Sequence, residues 1–221
     1  MTLEELANKY GTDKYVHGYC PHYEAALTHL KNEKIRFLEI GVDRGWSMHM
    51  WRDFFPNAEL IGLDIVVDRH DLTPEQATIM LVNFNRPDEI MSFAASQAEF
   101  DVIIDDGGHT MSQQQRALDL LWDKVKPGGF FIMEDMHTSL RQFYPNRNPN
   151  KDPTTLDMMR AFESDGTFSS RFMPVERFEA IKSQIEYAKV IQSCGSIPNK
   201  PAPSITCIVR KTTNENALLV T

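Results

Sequence analysis

The stretch FLEIGVDRG, residues 37–45, joins a short apolar run to two glycines. The apolar run predicts a buried strand that ends at Glu39-Ile40-Gly41, and Gly45 stands where the next helix opens. Glycines at this point let the backbone approach a ligand closely. The spacing Gly41-x-x-x-Gly45 differs from the G-x-G-x-x-G pattern, which disfavours a dinucleotide pyrophosphate. The stretch therefore predicts a pocket for another nucleotide-type ligand.

Outward from this stretch, short apolar runs alternate with segments of helical periodicity. Strands that alternate with helices predict a parallel, doubly wound sheet in an α/β fold. Lys126-Pro127-Gly128-Gly129 has the composition of a turn before the fifth strand. The predicted strands are residues 35–40, 59–64, 78–83, 100–105 and 129–133, and the predicted helices are residues 46–55, 86–96 and 112–124.

The alternation breaks after residue 137. Residues 141–153 are rich in proline and asparagine, which indicates a loop or flap. Helices are predicted at 154–163 and 175–183. Strands at 186–192 and 204–211, joined by 195–203, are predicted to close the chain as an antiparallel hairpin, which brings the sheet to seven strands.

Composition narrows the class of protein. The 221 residues suit one domain, and 23 Lys and Arg against 31 Asp and Glu give a net charge of −8. An acidic chain is a poor partner for phosphate backbones, so nucleic-acid binding is disfavoured. Three scattered cysteines favour a reducing compartment over a disulfide framework. The N-terminus has no apolar run and no stretch approaches a membrane span, so we expect a cytoplasmic protein.

Polar and aromatic residues follow the second and third strands. Asp64 ends the second strand, where a carboxylate can accept hydrogen bonds from both hydroxyls of a ribose. Asn83 ends the third strand and could contact an adenine, whose face Phe84 could cover. A glycine pair alone indicates only a tight turn, and one acid alone only a solvated cap. Their order on successive strands favours nucleotide binding.

Four carboxylates and two histidines follow the fourth and fifth strands, in IIDDGGH at 103–109 and IMEDMH at 132–137. The ends of neighbouring strands lie ~5 Å apart, so these acids would repel one another strongly. A divalent cation would remove that conflict, and oxygen ligands favour Mg²⁺ or Mn²⁺. Helix capping and solvation explain one such acid but hardly four.

Side-chain alternation gives Asp105 and Asp106 different roles, since successive strand residues point to opposite faces. We assign Asp106 to the metal. His109 stands on the turn that follows and could take a proton from a substrate hydroxyl; the alternative is a structural histidine that bonds the turn backbone. His137 is expected to orient the Glu134-Asp135 loop.

These motifs resemble the metal-dependent sugar O-methyltransferases of macrolide and related antibiotic pathways, of the mycinamicin type. That family is related to rhamnosyl O-methyltransferases and to cephalosporin hydroxylase-like proteins. The resemblance implies a Rossmann-like class I methyltransferase fold, with a seven-stranded, mostly parallel sheet, an antiparallel last strand and helices on both faces. It covers roughly the first two thirds of the chain, through residues 9–19, 23–24, 37–45, 50–56, 62–65, 104–109 and 134–139.

The resemblance also implies roles for individual residues. Metal ligation falls to Asp106, Glu134 and Asp135, and His109 becomes the general base. The cofactor becomes S-adenosylmethionine (SAM), beside Mg²⁺ or Mn²⁺, and the segment 11–19 is expected to close over SAM or the substrate. We assign Asp105 to the amino acid part of SAM. The expected SAM-side residues are Thr12, Lys14, Tyr15, Glu39, Gly41, Gly45, Asp64, Asn83, Phe84 and Asp105.

Residues 1–221 are therefore expected to form a single methyltransferase domain. Residues 1–34 would form an N-terminal helical cap, and residues 138–175 a loop or lid insertion on the substrate side. The expected reaction is methylation of a hydroxyl on a small-molecule sugar or glycosylated natural product, by a homo-oligomer that acts on neither nucleic acid nor membrane. Two alternatives remain open: a metal-dependent methyltransferase of a catechol or phenol, and a non-catalytic SAM- or metal-binding accessory protein.

Overall fold

The structure is a computed structural model that describes residues 1–196 and 203–213. Its strands are β1 (Arg36–Ile40), β2 (Glu59–Asp64), β3 (Thr78–Leu81), β4 (Phe100–Asp105), β5 (Val125–Met133), β6 (Ile185–Ser196) and β7 (Pro203–Lys211). They form a seven-stranded sheet with the order β3-β2-β1-β4-β5-β7-β6. β1 to β5 pair in parallel, and β7 runs antiparallel to both β5 and β6. The predicted sheet is confirmed.

Helices cover both faces of the sheet, as expected. Alternate residues of β1 enter different apolar clusters: Leu38 packs with residues of the later helices, whereas Phe37 packs with residues of the first helices. No helix in the part of the chain that the structure describes combines the length and apolar character needed to cross a bilayer. The helices are α1 (Leu3–Tyr10), α2 (Asp13–Val16), α3 (Cys20–Leu27), α4 (Trp46–Phe54), α5 (Pro87–Ser96), α6 (Met111–Leu121), α7 (Thr155–Asp165) and α8 (Val175–Ser183).

The predicted turn at 126–129 is wrong, because these residues belong to β5. The pairing of β4 with β5 shifts register between Phe100 and Val102, and Gly128 has a φ of 76°. Proline and glycine here mark an irregular stretch inside the strand, a position that tolerates both residues. The predicted connection at 195–203 lies mostly outside the described residues, since these end at 196 and resume at 203.

The N-terminal helices place α2 against the ends of the strands. Leu6 of α1 and Tyr23 of α3 are buried, and α1 packs on α4. The Tyr23 hydroxyl shares a 2.8 Å hydrogen bond with Thr206 Oγ1, and the Tyr19 hydroxyl donates to the Ile205 carbonyl at 3.1 Å. Residues 13–16 are thereby held over β7 and its neighbours. The division into a cap and a substrate-side insertion stays a prediction.

Gly41 joins the ends of three strands. Its N–H donates to the Leu63 carbonyl at 2.8 Å, and the Asp106 N–H donates to the Ile40 carbonyl at 2.8 Å. A Cβ on Gly41 would lie 2.0 Å from the Asp106 carbonyl oxygen, and the φ of Gly41 is 90°. Only glycine meets both conditions, so this residue sets the distance between the ends of β1 and β4.

We expect Gly41→Ala to destabilise the fold far more than Gly166→Ala. Gly166 also has a positive φ, 72°, but a Cβ there would meet nothing within 4 Å. Gly166→Ala should therefore cost only the left-handed conformation, about 1–2 kcal/mol. Gly41→Ala adds a clash with rigid backbone and should lose more than twice as much. Urea unfolding compares the two, and equal losses would contradict the role given to the Gly41–Asp106 contact.

Candidate active site

A cavity of about 450 Å³ opens at the carboxyl ends of β1, β2 and β4. This is where ligands bind in open α/β sheets. Half of the predicted site residues line it, and they come from six separate parts of the chain. They are Thr12, Gly41, Asp64, Phe84, Asp106, His109 and Asp135.

Asp64 supports the glycine turn at the floor of this cavity. Its Oδ2 accepts hydrogen bonds from the N–H groups of Val42, at 2.8 Å, and Asp43, at 2.9 Å. Its Oδ1 accepts from the Val66 N–H at 3.0 Å. The carboxylate therefore fixes the loop between β1 and α4 and also lines the cavity. Gly45 does not line the cavity. It is the N-cap of α4 and has a left-handed backbone conformation.

The residues after β3 are placed differently from the prediction. Phe84 lines the cavity as expected, but the amide on the wall belongs to Asn85 instead of Asn83. Asn83 Oδ1 accepts from the Asn85 N–H at 2.9 Å, and Asn85 Oδ1 accepts from Gln113 Nε2 at 3.1 Å. Sequence reasoning missed Gln113 as well. Its signal was the capping box that starts at Thr110, which places a side chain at the first turn of α6.

The ends of β4 and β5 bring together, on the wall of the cavity, three side chains of the types that ligate metals. One ligand atom each from Asp106, His109 and Asp135 lies within 4.8 Å of the other two. His109 Nε2 is 3.8 Å from Asp106 Oδ1 and 3.7 Å from Asp135 Oδ2. His109 and Asp135 both have a φ of 55°, a strained conformation that surrounding contacts must hold.

Lys14 forms a second, buried cluster behind the wall. Its fully buried Nζ lies 2.6 Å from Asp106 Oδ2, 3.0 Å from Glu134 Oε1 and 3.2 Å from Glu39 Oε1. Glu39 also accepts from Ser47 Oγ at 2.8 Å and from Trp51 Nε1 at 3.3 Å. Glu134, predicted as a metal ligand, thus faces the lysine. Asp106 belongs to both clusters, one oxygen to each.

Burial dominates the protonation of this region. It raises the pKa of Asp106 and of Glu134, although the Lys14 ammonium opposes it. The same carboxylates hold the pKa of Lys14 well above its usual value despite burial. Burial also opposes the ionisation of Asp135, but the surrounding histidines and the Tyr19 hydroxyl keep its pKa below the usual range.

Burial lowers the pKa of His109. The imidazole is therefore neutral at pH 7, the form that can accept a proton or bind a metal. His109 Nδ1 is buried without a hydrogen-bond partner. His109 Nε2 faces two carboxylate oxygens at 3.7 and 3.8 Å, which is longer than a hydrogen bond. The hydrogen bonds of the ring are therefore incomplete.

The residues present fit a divalent cation. The two clusters together contain four carboxylates and one ammonium: Glu39, Asp106 and Glu134 contact Lys14, and Asp135 lies near Asp106 and His109. Lys14 Nζ donates a hydrogen bond to Asp106 Oδ2, whereas Asp106 Oδ1 faces His109. Carboxylate oxygens are the usual ligands of Mg²⁺, and excess negative charge at a partly open cavity wall favours a hard cation.

The remaining predicted residues lie off the cavity wall. Tyr15 is largely exposed on α2. Asp105 is buried, and its Oδ1 accepts from the Gly107 N–H at 3.3 Å. Residues that line the cavity without having been predicted include Asp43, Arg44, Trp46, Asn85 and Gln113.

A second cavity, of about 440 Å³, adjoins the first. The two cavities share His109 and Asp135 on their walls. The second is otherwise lined by His17, His137, Thr138, Phe143, Tyr144, Pro145, Asn146 and Arg147.

We expect Lys14→Met to unfold far more easily than the wild type. The substitution leaves buried carboxylates without their cation, which costs about 3–5 kcal/mol for a buried pair. Lys9→Met is the control, because Lys9 pairs with Asp53 at 2.7 Å in an exposed position and should matter little. Urea unfolding in metal-free buffer measures both. A Lys14→Met loss as small as that of Lys9→Met would contradict the buried ion cluster.

Asp105 predicts a pH dependence of stability. Burial raises the pKa of Asp105 to about 6, from 3.8. A raised carboxyl pKa stabilises the fold below the unfolded pKa, and that contribution is lost as the pH rises through 6. The stability of Asp105→Asn lacks this loss, so it should rise relative to that of the wild type by about 2.4 kcal/mol between pH 4 and 7. Urea unfolding at both pH values checks this; Asp68→Asn, at an exposed position, should show no such change.

Sequence comparison with known proteins finds methyltransferases. Residues 38–136 match a family model described as a methyltransferase domain. Demethylmacrocin O-methyltransferase of Streptomyces fradiae is 32% identical over 165 residues, which cover 71% of this chain and 41% of that protein. Mycinamicin VI 2''-O-methyltransferase of Micromonospora griseorubida is 31% identical over 173 residues, 72% of this chain and 42% of that protein. The chain thus spans about two fifths of the length of these relatives.

Solved structures give the same answer for the fold. The MycE methyltransferase from the mycinamycin biosynthetic pathway, in complex with Mg and SAH, aligns with a TM-score of 0.75 at 24% identity. The alignment covers 98% of this chain and 56% of MycE. The Rossmann-like methyltransferase fold is confirmed. Residues 38–136 thus resemble a methyltransferase domain, the relatives similar in sequence are named as O-methyltransferases, and the chain shares the fold of MycE.

Proposed function

We propose that this chain is a SAM- and Mg²⁺-dependent O-methyltransferase that acts on a hydroxyl of a sugar or glycosylated natural product. The observation that carries the proposal is the position of Asp106, His109 and Asp135. Two of these residues stand where the two cavities meet, so a cofactor in one could face an acceptor in the other. The relatives named as O-methyltransferases, and the Mg and SAH bound to MycE, support it.

The first cavity is the proposed SAM site. Gly41 lets the ligand approach the backbone, Asp64 offers a carboxylate for ribose hydroxyls, and Phe84 offers a ring for the adenine. Thr12 closes the cavity from the N-terminal segment. SAM supplies an activated methyl group, so the protein chiefly has to align the acceptor oxygen. Lys14, Glu39 and Asp105 support this site from the buried side.

Asp106 and Asp135 are the proposed holders of the cation, and Glu134, which pairs with Lys14 in this structure, would join them only by turning an oxygen away from the lysine. When bound there, Mg²⁺ would supply Lewis-acid activation and a template for neighbouring hydroxyls. The protein's own contribution is the proton acceptor. His109 is neutral because it is buried, and the Thr138 hydroxyl donates to its carbonyl at 3.0 Å, which helps to hold the strained turn. It could therefore accept the hydroxyl proton as the methyl group moves.

Methyl transfer from labelled SAM tests the proposal against a panel of sugars, glycosides and catechols, with and without chelator. We expect product with glycosides, loss of turnover in EDTA and recovery with Mg²⁺. His109→Gln should slow turnover by about 10²–10⁴-fold, the usual contribution of a general base, while SAH affinity stays unchanged.

The control is His29→Gln, because His29 is exposed and lines neither cavity. Full activity in chelator would refute the metal requirement. Transfer to catechols alone would favour the phenol alternative, and no transfer to any acceptor, with SAH still bound, would favour an accessory protein. An unchanged rate in His109→Gln would remove His109 as the base.

A further inference from the structure

The two carboxylate oxygens of Asp135 have different surroundings. Asp135 Oδ2 lies 3.7 Å from His109 Nε2, whereas Asp135 Oδ1 accepts a hydrogen bond from the Tyr19 hydroxyl at 3.1 Å. Two imidazoles also face Oδ1, with His17 Nε2 at 3.9 Å and His137 Nδ1 at 3.8 Å, and both distances are longer than a hydrogen bond. The Tyr19 hydroxyl is therefore well placed to set the orientation of this carboxylate.

Tyr19 is itself held firmly between the N-terminal helices and the sheet. Its side chain is fully buried, and its ring stacks on the His17 ring with 5.1 Å between the centroids. The hydroxyl has a single proton, which it shares between Asp135 Oδ1 and the Ile205 carbonyl oxygen, each at 3.1 Å. A fixed donor of this kind ties the carboxylate of Asp135 to β7.

Asp106 is held in a matching way. Lys14 Nζ donates to Asp106 Oδ2 at 2.6 Å, and Asp106 Oδ1 lies 3.8 Å from His109 Nε2. Lys14 and Tyr19 stand five residues apart in the same N-terminal segment. Each of the two carboxylates thus has one oxygen bonded to this segment and the other turned toward His109, so the two inner oxygens lie near one imidazole.

We propose that Tyr19 is a positioning residue for the cation site, which fixes Asp135 Oδ1 so that Asp135 Oδ2 stays turned toward His109. Without the hydroxyl, the carboxylate could rotate toward the imidazoles of His17 and His137, and Oδ2 would no longer have a fixed place. Groups that hydrogen-bond a metal ligand from outside orient that ligand and tune its affinity for the metal. This inference rests on the proposed function, to whose cation site it adds one residue.

The probe is Mn²⁺, whose binding to the full chain is followed by electron paramagnetic resonance. Tyr19→Phe removes the hydroxyl and keeps the buried ring. We expect the Kd of Tyr19→Phe for Mn²⁺ to rise about tenfold, the lower end of what the loss of such an outer group costs in metal affinity.

Tyr23→Phe is the matched control. Tyr23 is as fully buried as Tyr19, and its hydroxyl also anchors the N-terminal helices to β7, through a 2.8 Å hydrogen bond with Thr206 Oγ1 instead of a carboxylate. Each variant therefore loses one buried hydroxyl that faces β7, and only Tyr19→Phe releases Asp135. The Kd of Tyr23→Phe for Mn²⁺ should stay within about twofold of the wild-type value, since its loss does not reach a metal ligand.

SAH affinity, measured by calorimetry, reports whether each variant keeps the cofactor cavity. The expected result is unchanged SAH affinity in both variants, with weaker Mn²⁺ binding in Tyr19→Phe alone. Equal Mn²⁺ binding by Tyr19→Phe and the wild type would overturn the inference and leave the proposed function standing. Equal losses in the two variants, or a loss of SAH binding in Tyr19→Phe, would show a general structural role and also overturn it. Mn²⁺ binding that depends on Tyr19, in a chain that transfers no methyl group, would contradict the proposed function and support the inference.

Discussion

A buried ammonium surrounded by carboxylates is the interaction on which the site depends. Lys14 contacts Glu39 at the end of β1, Asp106 after β4 and Glu134 after β5. Taking these charges out of water costs several kcal/mol per ion, and their mutual attraction must repay that cost. The pairing also ties a four-residue helix of the N-terminal segment to three strands. The part of the first cavity's wall formed by residues 11–13 therefore depends on the buried charges around Lys14.

Asp106 connects the buried cluster to the two cavities. One of its oxygens is held by Lys14 and the other faces His109, while its backbone lies against Gly41. Because Lys14 fixes one oxygen of Asp106, this carboxylate would lose less conformational freedom on binding a metal with the other. Residues around a metal site tune the affinity of its ligands in this way. His109 and Asp135 then serve both cavities, because each stands on a strained turn at the shared wall. The two cavities are thus joined through a few residues at two neighbouring strand ends.

The local sequence was sufficient to predict the bounds of strands and helices where periodicity and composition agreed. Glu59–Asp64, Phe100–Asp105 and Val175–Ser183 have the predicted bounds, because apolar periodicity and flanking breakers coincide there. The turn predicted at 126–129 failed, because proline and glycine can also occupy an irregular part of a strand. The prediction placed Asn83 at the wall where the structure has Asn85, since sequence alone does not show which side chains a loop turns inward.

The sequence by itself determined the α/β class, the carboxyl-end location of the site and the residue types gathered there, since these follow from hydrophobic periodicity and from the order of motifs along the chain. Only the tertiary structure decided which of those residues face the cavity. Lys14 and Glu134 are far apart in sequence and meet in a buried ion cluster, whereas Phe143 and Tyr144, in a segment without a motif, line the second cavity. The physical reason is that side-chain direction and long-range ion pairing depend on how the strands and the N-terminal helices pack.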